Sequence, residues 1–254
     1  MSAGKVYFVG AGPGDPELIT IKGRRLLDAA DMVIYAGSLV NPALVTGLKA
    51  EAFDSSGMAL QEMVDLMAQA ASEGKTVVRL HTGDTSFYSA ISEQIEKLRE
   101  TAIEYEVVAG VSSAAAAAAA LKMELTIPEV TQTVIFTRLE GNTPVPMAED
   151  LSALSRHGAL MVIFLSISMI DKVVEKLTAG GYPLDTPVAV IERVSWPQER
   201  IIRGTLTDIS EKVTAADIKK TALILVGEAL RSSECSTGRQ SKLYDKDFKH
   251  GYRK

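Results

Sequence analysis

The chain has 254 residues, of which 46% are hydrophobic and 23% are charged, and its formal net charge at pH 7 is −5. Length and composition predict a packed globular protein with one large domain or two modest ones. The negative charge argues against a protein whose main task is to hold a nucleic-acid backbone, so no nucleic-acid partner is predicted. The single cysteine, Cys235, excludes an internal disulfide framework. The three histidines show no metal-ligand spacing, so no metal site is predicted.

The apolar segments of the chain are short. The longest run covers residues 159–165, whereas a helix that spans a bilayer needs about 20 apolar residues. The apolar stretch near the N-terminus is too short for the core of a signal peptide. We therefore predict a cytoplasmic protein that has no membrane partner.

Short β-branched runs alternate with helical segments in the first half of the chain. Strands are predicted at residues 6–9, 32–35, 76–80 and 105–108. Between the second and the third strand, apolar residues repeat with helical spacing from Leu60 to Ala71, and Gly74 stands where a C-terminal cap is expected. Apolar strands joined by helical crossovers predict an α/β sheet that is covered on both faces.

A second alternation follows an alanine-rich helix that is predicted near residues 113–121. Because Pro197 interrupts the stretch from residue 188 to residue 202, we predict two strands joined by a turn there. The other strands are predicted at residues 133–136, 160–164 and 222–226, and helices at residues 148–156, 170–179 and 208–213.

The two alternations predict two α/β domains, at residues 1–124 and 125–231. Residues 232–254 are predicted to form a basic tail. From Arg231 onward, seven Lys and Arg stand against three Asp and Glu, which leaves a net charge of −9 for the preceding part of the chain. The tail is either mobile or, through its aromatic residues, docked on a neighbouring surface.

A glycine-rich turn, GAGPGD at residues 10–15, follows the first predicted strand. A dinucleotide-binding turn would have glycine at position 15. Asp15 would instead oppose a pyrophosphate, and Pro13 removes one N–H donor. The second strand also ends without the acidic residue that holds a ribose. The turn therefore disfavours a nicotinamide cofactor.

Two further loops of small residues follow predicted strands, GDT at residues 83–85 and GVSS at residues 110–113. The carboxyl ends of parallel strands meet at one edge of a sheet, where α/β proteins bind their ligands. Three such loops in one half of the chain predict a small-molecule cleft to which backbone groups contribute many contacts.

Together with two later segments, these loops resemble the tetrapyrrole methylases, which transfer a methyl group from S-adenosylmethionine to ring carbons of corrinoid and sirohaem precursors. Thr85 stands where relatives often have proline, and Val194 where they commonly have glycine. The matching segments are residues 9–15, 83–85, 110–113, 162–165 and 187–192. Three further segments resemble most closely the branch of the family that methylates C-11 of precorrin-4 or of cobalt-precorrin-4. These segments are residues 35–42, 137–146 and 241–245.

The resemblance implies the tetrapyrrole methylase fold, in which two α/β domains hold S-adenosylmethionine in a cleft between them, and it implies a homodimer. Small and apolar contact residues suit this cofactor because it carries no phosphate. The contacts implied for this chain are Pro13, Gly83, Asp84, Thr85, Tyr88, Ser112, Ser113, Leu165, Val194 and Ala222.

The chemistry of such a reaction needs few catalytic groups. The sulfonium methyl is already electrophilic, so alignment of the reacting atoms and exclusion of water account for much of the rate. Precorrins carry several carboxylates, and arginine pairs with carboxylates in a bidentate manner. Arg138 is therefore the first candidate for substrate orientation, with a surface ion pair to Glu140 as the alternative. Asp15 would orient a pyrrole N–H or assist proton loss, or it would cap the following helix.

The leading hypothesis is an S-adenosylmethionine-dependent C-methyltransferase that acts on precorrin-4 or cobalt-precorrin-4. The alternatives are methylation of another precorrin or of uroporphyrinogen III, a nicotinamide oxidoreductase, and a corrinoid-binding protein without catalytic activity. Outside the motifs, Trp196 would either cover the cofactor or brace a hairpin, and His81 is expected to be hydrogen-bonded or partly exposed at a strand end.

Overall fold

The computed structural model describes residues 4–101, 103–233 and Phe248. The chain divides into two compact units. Unit 1 comprises Met1–Ala116 and Val194–Gln198, and unit 2 comprises Ala117–Arg193 and Glu199–Lys254. Each unit contains a β-sheet and helices, so the predicted α/β class is confirmed. The predicted limits of the domains stay predictions, and most of the predicted tail lies outside the described residues.

The described part of unit 1 contains a five-stranded parallel sheet. Its strands are β1 (Lys5–Gly10), β2 (Met32–Tyr35), β3 (Glu51–Asp54), β4 (Thr76–His81) and β5 (Glu104–Val108). They are arranged in the order β3-β2-β4-β1-β5. The helices that follow or join them are α1 (Ile21–Asp28), α2 (Leu60–Ser72), α3 (Ile91–Glu100) and α4 (Ser113–Ala120). Since β1 lies between β4 and β5, the loops that follow these three strands are neighbours.

Helix α2 shows why the apolar pattern predicts this unit well. Met63, Val64 and Met67 are buried and pack with Phe8 and Ile34 on one face of the sheet. The helix ends at Ser72, and Gly74 has a φ of 84°, a conformation that favours glycine. The opposite face of the sheet has its own core, which includes Leu27, Val33, Val78 and Leu80.

Three elements of unit 1 are missed by the sequence patterns. Strand β3 is an edge strand whose side chains are mostly exposed, so it lacks an apolar run. Helix α1 contains Gly23, which weakens its helical signal. In the structure, a Cβ at Gly23 would lie 3.0 Å from Cγ1 of Val9, so the glycine allows the helix to approach β1 closely. Helix α3 has mixed charged and apolar residues, with Gln94 and Leu98 buried.

The described part of unit 2 contains a second five-stranded sheet. Its strands are β6 (Val134–Arg138), β7 (Leu160–Phe164), β8 (Pro187–Glu192), β9 (Arg200–Thr205) and β10 (Ala222–Val226), in the order β6-β7-β10-β8-β9. Only the β6–β7 pair is parallel, and the other neighbours are antiparallel. The prediction of two strands on either side of Pro197 is confirmed. The helices are α5 (Leu151–Ser155), α6 (Ile170–Ala179) and α7 (Ile209–Ala215).

The core of unit 2 forms where one face of this sheet meets its helices. Ile163, Val190 and Ile224 are buried there together with Val173 and Leu177 of α6. Within the described residues, no helix is both long and apolar enough to cross a membrane.

Candidate active site

Three loops of unit 1 meet at the ends of β1, β4 and β5. Gly12 and Gly83 exchange two backbone hydrogen bonds, with N–O distances of 3.1 and 2.8 Å. Gly10 lies between the flanking loops: a Cβ on it would be 2.6 Å from Cα of Gly110 and 2.7 Å from the carbonyl oxygen of Gly83. The absence of a side chain at Gly10 therefore lets the two outer loops close over the end of β1. The predicted convergence of these loops at one sheet edge is confirmed.

Asp84 connects the loop after β4 to the loop after β5. One carboxylate oxygen accepts from the backbone N–H of Ser86 at 2.8 Å, and the other accepts from the backbone N–H of Gly110 at 2.7 Å. Burial by itself would raise the pKa of Asp84, but the hydrogen bonds from Gly110 and Ser86 outweigh it, so the pKa lies below its ordinary value. The carboxylate is thus ionised and holds the loops in place.

The start of helix α4 faces an open space beside Gly83. Gly83 has a φ of 65°, and the nearest atom to a Cβ built on it is the backbone nitrogen of Ser113, at 3.9 Å. Ser112 accepts a hydrogen bond from the N–H of Ala114 at 3.2 Å, which satisfies one donor of the first turn. A side chain at position 83 would fill this space. The arrangement suits a ligand that approaches the backbone closely.

Thr85 and Tyr88 complete the loop after β4. Thr85 is buried, whereas Tyr88 is 44% exposed and has a φ of 53°. A positive φ in a tyrosine is strained, and strained backbone concentrates at binding sites. The loop therefore combines a buried threonine with an aromatic side chain that remains accessible.

The glycine-rich turn is held by side chains from distant parts of the sequence. Trp196 Nε1 donates to the carbonyl oxygen of Pro13 at 3.1 Å, and Asn41 Nδ2 donates to that of Gly14 at 2.8 Å. The N–H of Asp15 donates to Ser195 Oγ at 2.9 Å. Asn41, Ser195 and Trp196 are thus parts of the site that the loop motifs do not reveal. Asn41 lies in the segment at residues 35–42 that resembles the C-11 branch, Trp196 is the one tryptophan of the chain, and Ser195 carries no sequence signal.

The carboxylate of Asp15 caps the short 3-10 helix Pro16–Leu18. Its Oδ1 accepts from the N–H of Glu17 at 2.9 Å. Capping is one of the three roles that the sequence leaves open for Asp15. Its other carboxylate oxygen accepts no hydrogen bond from the described residues, so the role toward substrate stays a prediction.

Val194 lies in unit 1, and Leu165 and Ala222 lie in unit 2. Val194 is buried at 5% exposure, whereas Leu165 is 67% exposed and has a φ of 54°. Strands β7 and β10 are antiparallel, with Ile224 paired to Ile163, so the end of β7 at Phe164 and the start of β10 at Ala222 lie at the same edge. Leu165 and Ala222 therefore share one edge of the second sheet.

Arg138 ends β6 at the same edge, since it is paired with Phe164. Its guanidinium donates to the carbonyl oxygens of Thr143 at 3.0 Å and Pro144 at 2.9 Å. No ion pair between Arg138 and Glu140 is found among the described residues, so that alternative is not supported. The guanidinium instead holds the loop at residues 139–146, beside a cavity of about 320 Å³ that is also lined by Met147 and Asp150.

Ser166 anchors the first residue of that loop, and sequence reasoning gives no hint of it. Its hydroxyl accepts from the N–H of Leu139 at 2.8 Å and donates to the carbonyl oxygen of Phe164 at 2.7 Å. The side chain is fully buried. Ser166 thus ties the loop after β6 to the end of β7.

His81 ends β4, and the structure corrects the expectation of a hydrogen-bonded or partly exposed side chain. The ring is buried at 4% exposure, and Nε2 has no hydrogen-bond partner among the described residues. Burial and the positive charge of Arg79 lower the pKa of His81 from 6.5 to about 3. The imidazole is therefore neutral at physiological pH. Within the described residues, no group of three His, Cys, Asp or Glu side chains is arranged to hold a metal ion.

Comparison with known families agrees with this loop architecture. The family model described as Tetrapyrrole (Corrin/Porphyrin) Methylases matches residues 5–210. The chain belongs to the tetrapyrrole methylases. The predicted family and the predicted tetrapyrrole methylase fold are confirmed.

Similar proteins cover nearly the whole of this tetrapyrrole methylase. A cobalt-precorrin-4 C(11)-methyltransferase of Methanocaldococcus jannaschii is 57% identical over 98% of this chain and 96% of its own length. A solved structure of cobalt precorrin-4 methyltransferase, CbiF, has a TM-score of 0.87 and 47% identity, covering 89% of this chain and 95% of its own. Uroporphyrin-III C-methyl transferase from Thermus thermophilus, solved with S-adenosyl homocysteine, has a TM-score of 0.76 and 27% identity over 90% and 94% of the two chains.

Thr85 and Val194 are the two positions at which the sequence predicts a departure from the commoner family pattern. Both side chains are buried, at 2% and 5% exposure. Neither residue introduces a charge, because threonine and valine are uncharged.

Proposed function

We propose that the chain is an S-adenosylmethionine-dependent C-methyltransferase that methylates C-11 of precorrin-4 or cobalt-precorrin-4. The observation that carries this proposal is the near-full-length similarity to the Methanocaldococcus jannaschii enzyme of that specificity. The loops of unit 1 support it independently. In these loops a ligand can approach the backbone closely, and the ionised carboxylate of Asp84 already accepts two backbone N–H groups. These features suit a ligand without phosphates better than a dinucleotide.

On the cofactor side, the chain supplies shape and backbone hydrogen bonds. Gly83, Thr85, Ser112 and Ser113 would hold S-adenosylmethionine at the open space beside helix α4, which a side chain at position 83 would fill. When bound, this cofactor supplies a methyl group on a positively charged sulfur. Asp84 contributes by holding the two loops in register, since both of its carboxylate oxygens accept backbone N–H groups.

Other predicted cofactor contacts have more specific roles in the proposal. The carbonyl oxygen of Pro13 accepts from Trp196, and the pyrrolidine ring of Pro13 is proposed to contact the cofactor. Tyr88 would cover the cofactor with its exposed aromatic ring. Contacts from Val194, Leu165 and Ala222 stay predictions.

The proposed substrate carries several carboxylates, whereas the part of the chain before Arg231 has a net charge of −9 and is itself acidic. Arg138 is proposed to orient the substrate, and its hydrogen bonds to Thr143 and Pro144 indicate that it acts in part by shaping the loop at residues 139–146. Asp15 is proposed to accept a pyrrole N–H through the carboxylate oxygen that does not cap the helix. Alignment of this kind supplies much of the rate enhancement of a methyl transfer.

The proposal includes a cytoplasmic homodimer. A dimer is implied by the family resemblance, and a reducing compartment agrees with a chain that has one cysteine. Light scattering coupled to size-exclusion chromatography measures the mass in solution. A mass of one chain at micromolar concentration would remove the dimer from the proposal without affecting the activity.

The decisive experiment is an assay with S-adenosylmethionine that carries a ¹³C-labelled methyl group. The purified chain is incubated with precorrin-4 and, separately, with cobalt-precorrin-4, and products are examined by mass spectrometry and NMR. A ¹³C methyl resonance at C-11 is expected. A methyl group at another carbon, or methylation of uroporphyrinogen III alone, would reassign the substrate. Binding of NAD without binding of S-adenosylhomocysteine would overturn the reaction class.

A further inference from the structure

The contact between Gly14 and Trp196 joins the glycine-rich turn to a segment about 180 residues further along the chain. A Cβ on Gly14 would lie 2.1 Å from Cδ1 and 2.3 Å from Nε1 of the indole. Gly14 does not have a positive φ, so its backbone conformation does not require glycine. The indole is therefore the reason that this position tolerates no side chain.

The same segment also restrains the two residues on either side of Gly14. Trp196 donates to the carbonyl oxygen of Pro13, and Ser195 accepts from the N–H of Asp15. Ser195 has a φ of 65°, a strained conformation for serine. In this conformation the Ser195 hydroxyl and the Trp196 indole both contact the glycine-rich turn.

We propose that Trp196 is a positioning residue for the methyl transfer. It sets the conformation of the glycine-rich turn and thereby the positions of Pro13 and Asp15. This inference rests on the proposed function, because it assigns Pro13 to the cofactor and Asp15 to the substrate. The indole acts in two ways. Its flat face excludes a side chain at Gly14, and its N–H fixes the carbonyl of Pro13. Trp196 itself makes no contact with the reacting atoms in this proposal.

Trp196→Phe separates the hydrogen bond from the packing, because it keeps an aromatic ring and removes the N–H. One neutral hydrogen bond corresponds to about a three- to tenfold change in an equilibrium constant. We expect the dissociation constant of S-adenosylhomocysteine, measured by calorimetry, and KM for S-adenosylmethionine to rise by that factor. The matched control is Tyr182→Phe in unit 2, which removes a hydrogen bond from an aromatic side chain to the carbonyl of Ala159. It should lower the melting temperature and leave both constants unchanged.

A double-mutant cycle tests the packing. Gly14→Ala should weaken S-adenosylhomocysteine binding more than tenfold in the wild-type background and change the emission spectrum of the displaced Trp196. In a Trp196→Ala background, where the added methyl group has room, the same substitution should change the dissociation constant by less than about twofold.

The outcomes separate the two proposals. A wild-type chain that does not bind S-adenosylhomocysteine contradicts the proposed function. If the wild-type chain binds but Trp196→Phe binds equally well and differs only in melting temperature, the positioning role is wrong while the function stands. Equal effects of Gly14→Ala in both backgrounds would likewise overturn it. If Trp196→Ala does not fold, the comparison of Trp196→Phe with Tyr182→Phe decides the question alone.

Discussion

The carboxylate of Asp84 reaches over the end of strand β1 and accepts a hydrogen bond from the backbone N–H of Gly110, with 2.7 Å between oxygen and nitrogen. The two residues follow β4 and β5, which flank β1 in the sheet. Gly10 and Gly110 make this crossing possible: a Cβ on Gly10 would lie 2.6 Å from Cα of Gly110, and a Cβ on Gly110 would lie 2.2 Å from the carbonyl oxygen of Gly83. The relation turns three separate loops into one surface, on which the proposed cofactor site depends.

Replacement of Asp84 by asparagine should weaken this surface. Both carboxylate oxygens accept backbone N–H groups, and asparagine retains only one acceptor oxygen. We expect a loss of about 1–3 kcal/mol in the free energy of unfolding and weaker binding of S-adenosylhomocysteine. Urea denaturation and calorimetry measure the two effects. Asp65→Asn is the control, because within the described residues Asp65 accepts only from Gln61, on an exposed helix face. Equal effects of the two substitutions would contradict the role of Asp84.

Gly110→Ala tests the close approach of the loops. An added Cβ would lie 2.2 Å from the carbonyl oxygen of Gly83, so the backbone must move. Overpacking of this kind destabilises by about 1–3 kcal/mol, and the displaced loops should lower cofactor affinity. Gly57→Ala serves as the control because, apart from Gly57 and its two chain neighbours, no atom of the described residues lies within 4 Å of its Cβ. Its unfolding free energy should change by no more than about 0.5 kcal/mol. A Gly110→Ala chain as stable as Gly57→Ala would show that the loops are further apart.

The buried His81 predicts a loss of stability in mild acid. Its pKa is about 3 in the folded chain and 6.5 ordinarily, so between these values the unfolded state binds a proton that the folded state does not. The stabilisation is fully present above pH 6.5 and falls, by at most about 1.4 kcal/mol per pH unit, as the pH decreases toward 3. His81→Phe should flatten the dependence of the urea midpoint on pH between 6.5 and 4. A profile for His81→Phe as steep as that of the unchanged chain would exclude His81 as the source.

Arg138→Ala should separate substrate use from cofactor binding. The guanidinium holds the loop at residues 139–146 through Thr143 and Pro144. We expect KM for the tetrapyrrole substrate to rise by about tenfold or more, whereas the dissociation constant of S-adenosylhomocysteine changes by less than about twofold. Arg138→Lys should recover little, because lysine lacks the planar fork that reaches two carbonyls. Arg24→Ala, which removes an exposed pair with Asp28, is the control. Parallel losses of substrate and cofactor binding in Arg138→Ala would rule out a role specific to the substrate.

The amino-acid sequence by itself determined the α/β class, the two alternations of strands and helices, the family and the three loops at one sheet edge. These features depend on local spacing: apolar residues repeat with helical or strand period, and glycines follow strand ends. Helix α2 and the two strands around Pro197 are predicted correctly for this reason. Strand β3 and helix α1 are missed because an exposed edge strand and a helix with Gly23 lack that local pattern.

Only the tertiary structure decided what the individual side chains do. Gly14 lacks a side chain because an indole about 180 residues away packs against it, and Arg138 holds backbone carbonyls rather than pairing with Glu140. His81 is buried because β4 lies inside a sheet that is covered on that face. Such contacts join residues that are far apart in sequence, and short-range periodicity carries no information about them. The pattern of a chain thus predicts where a site lies, whereas the packing of distant residues determines how the site is held.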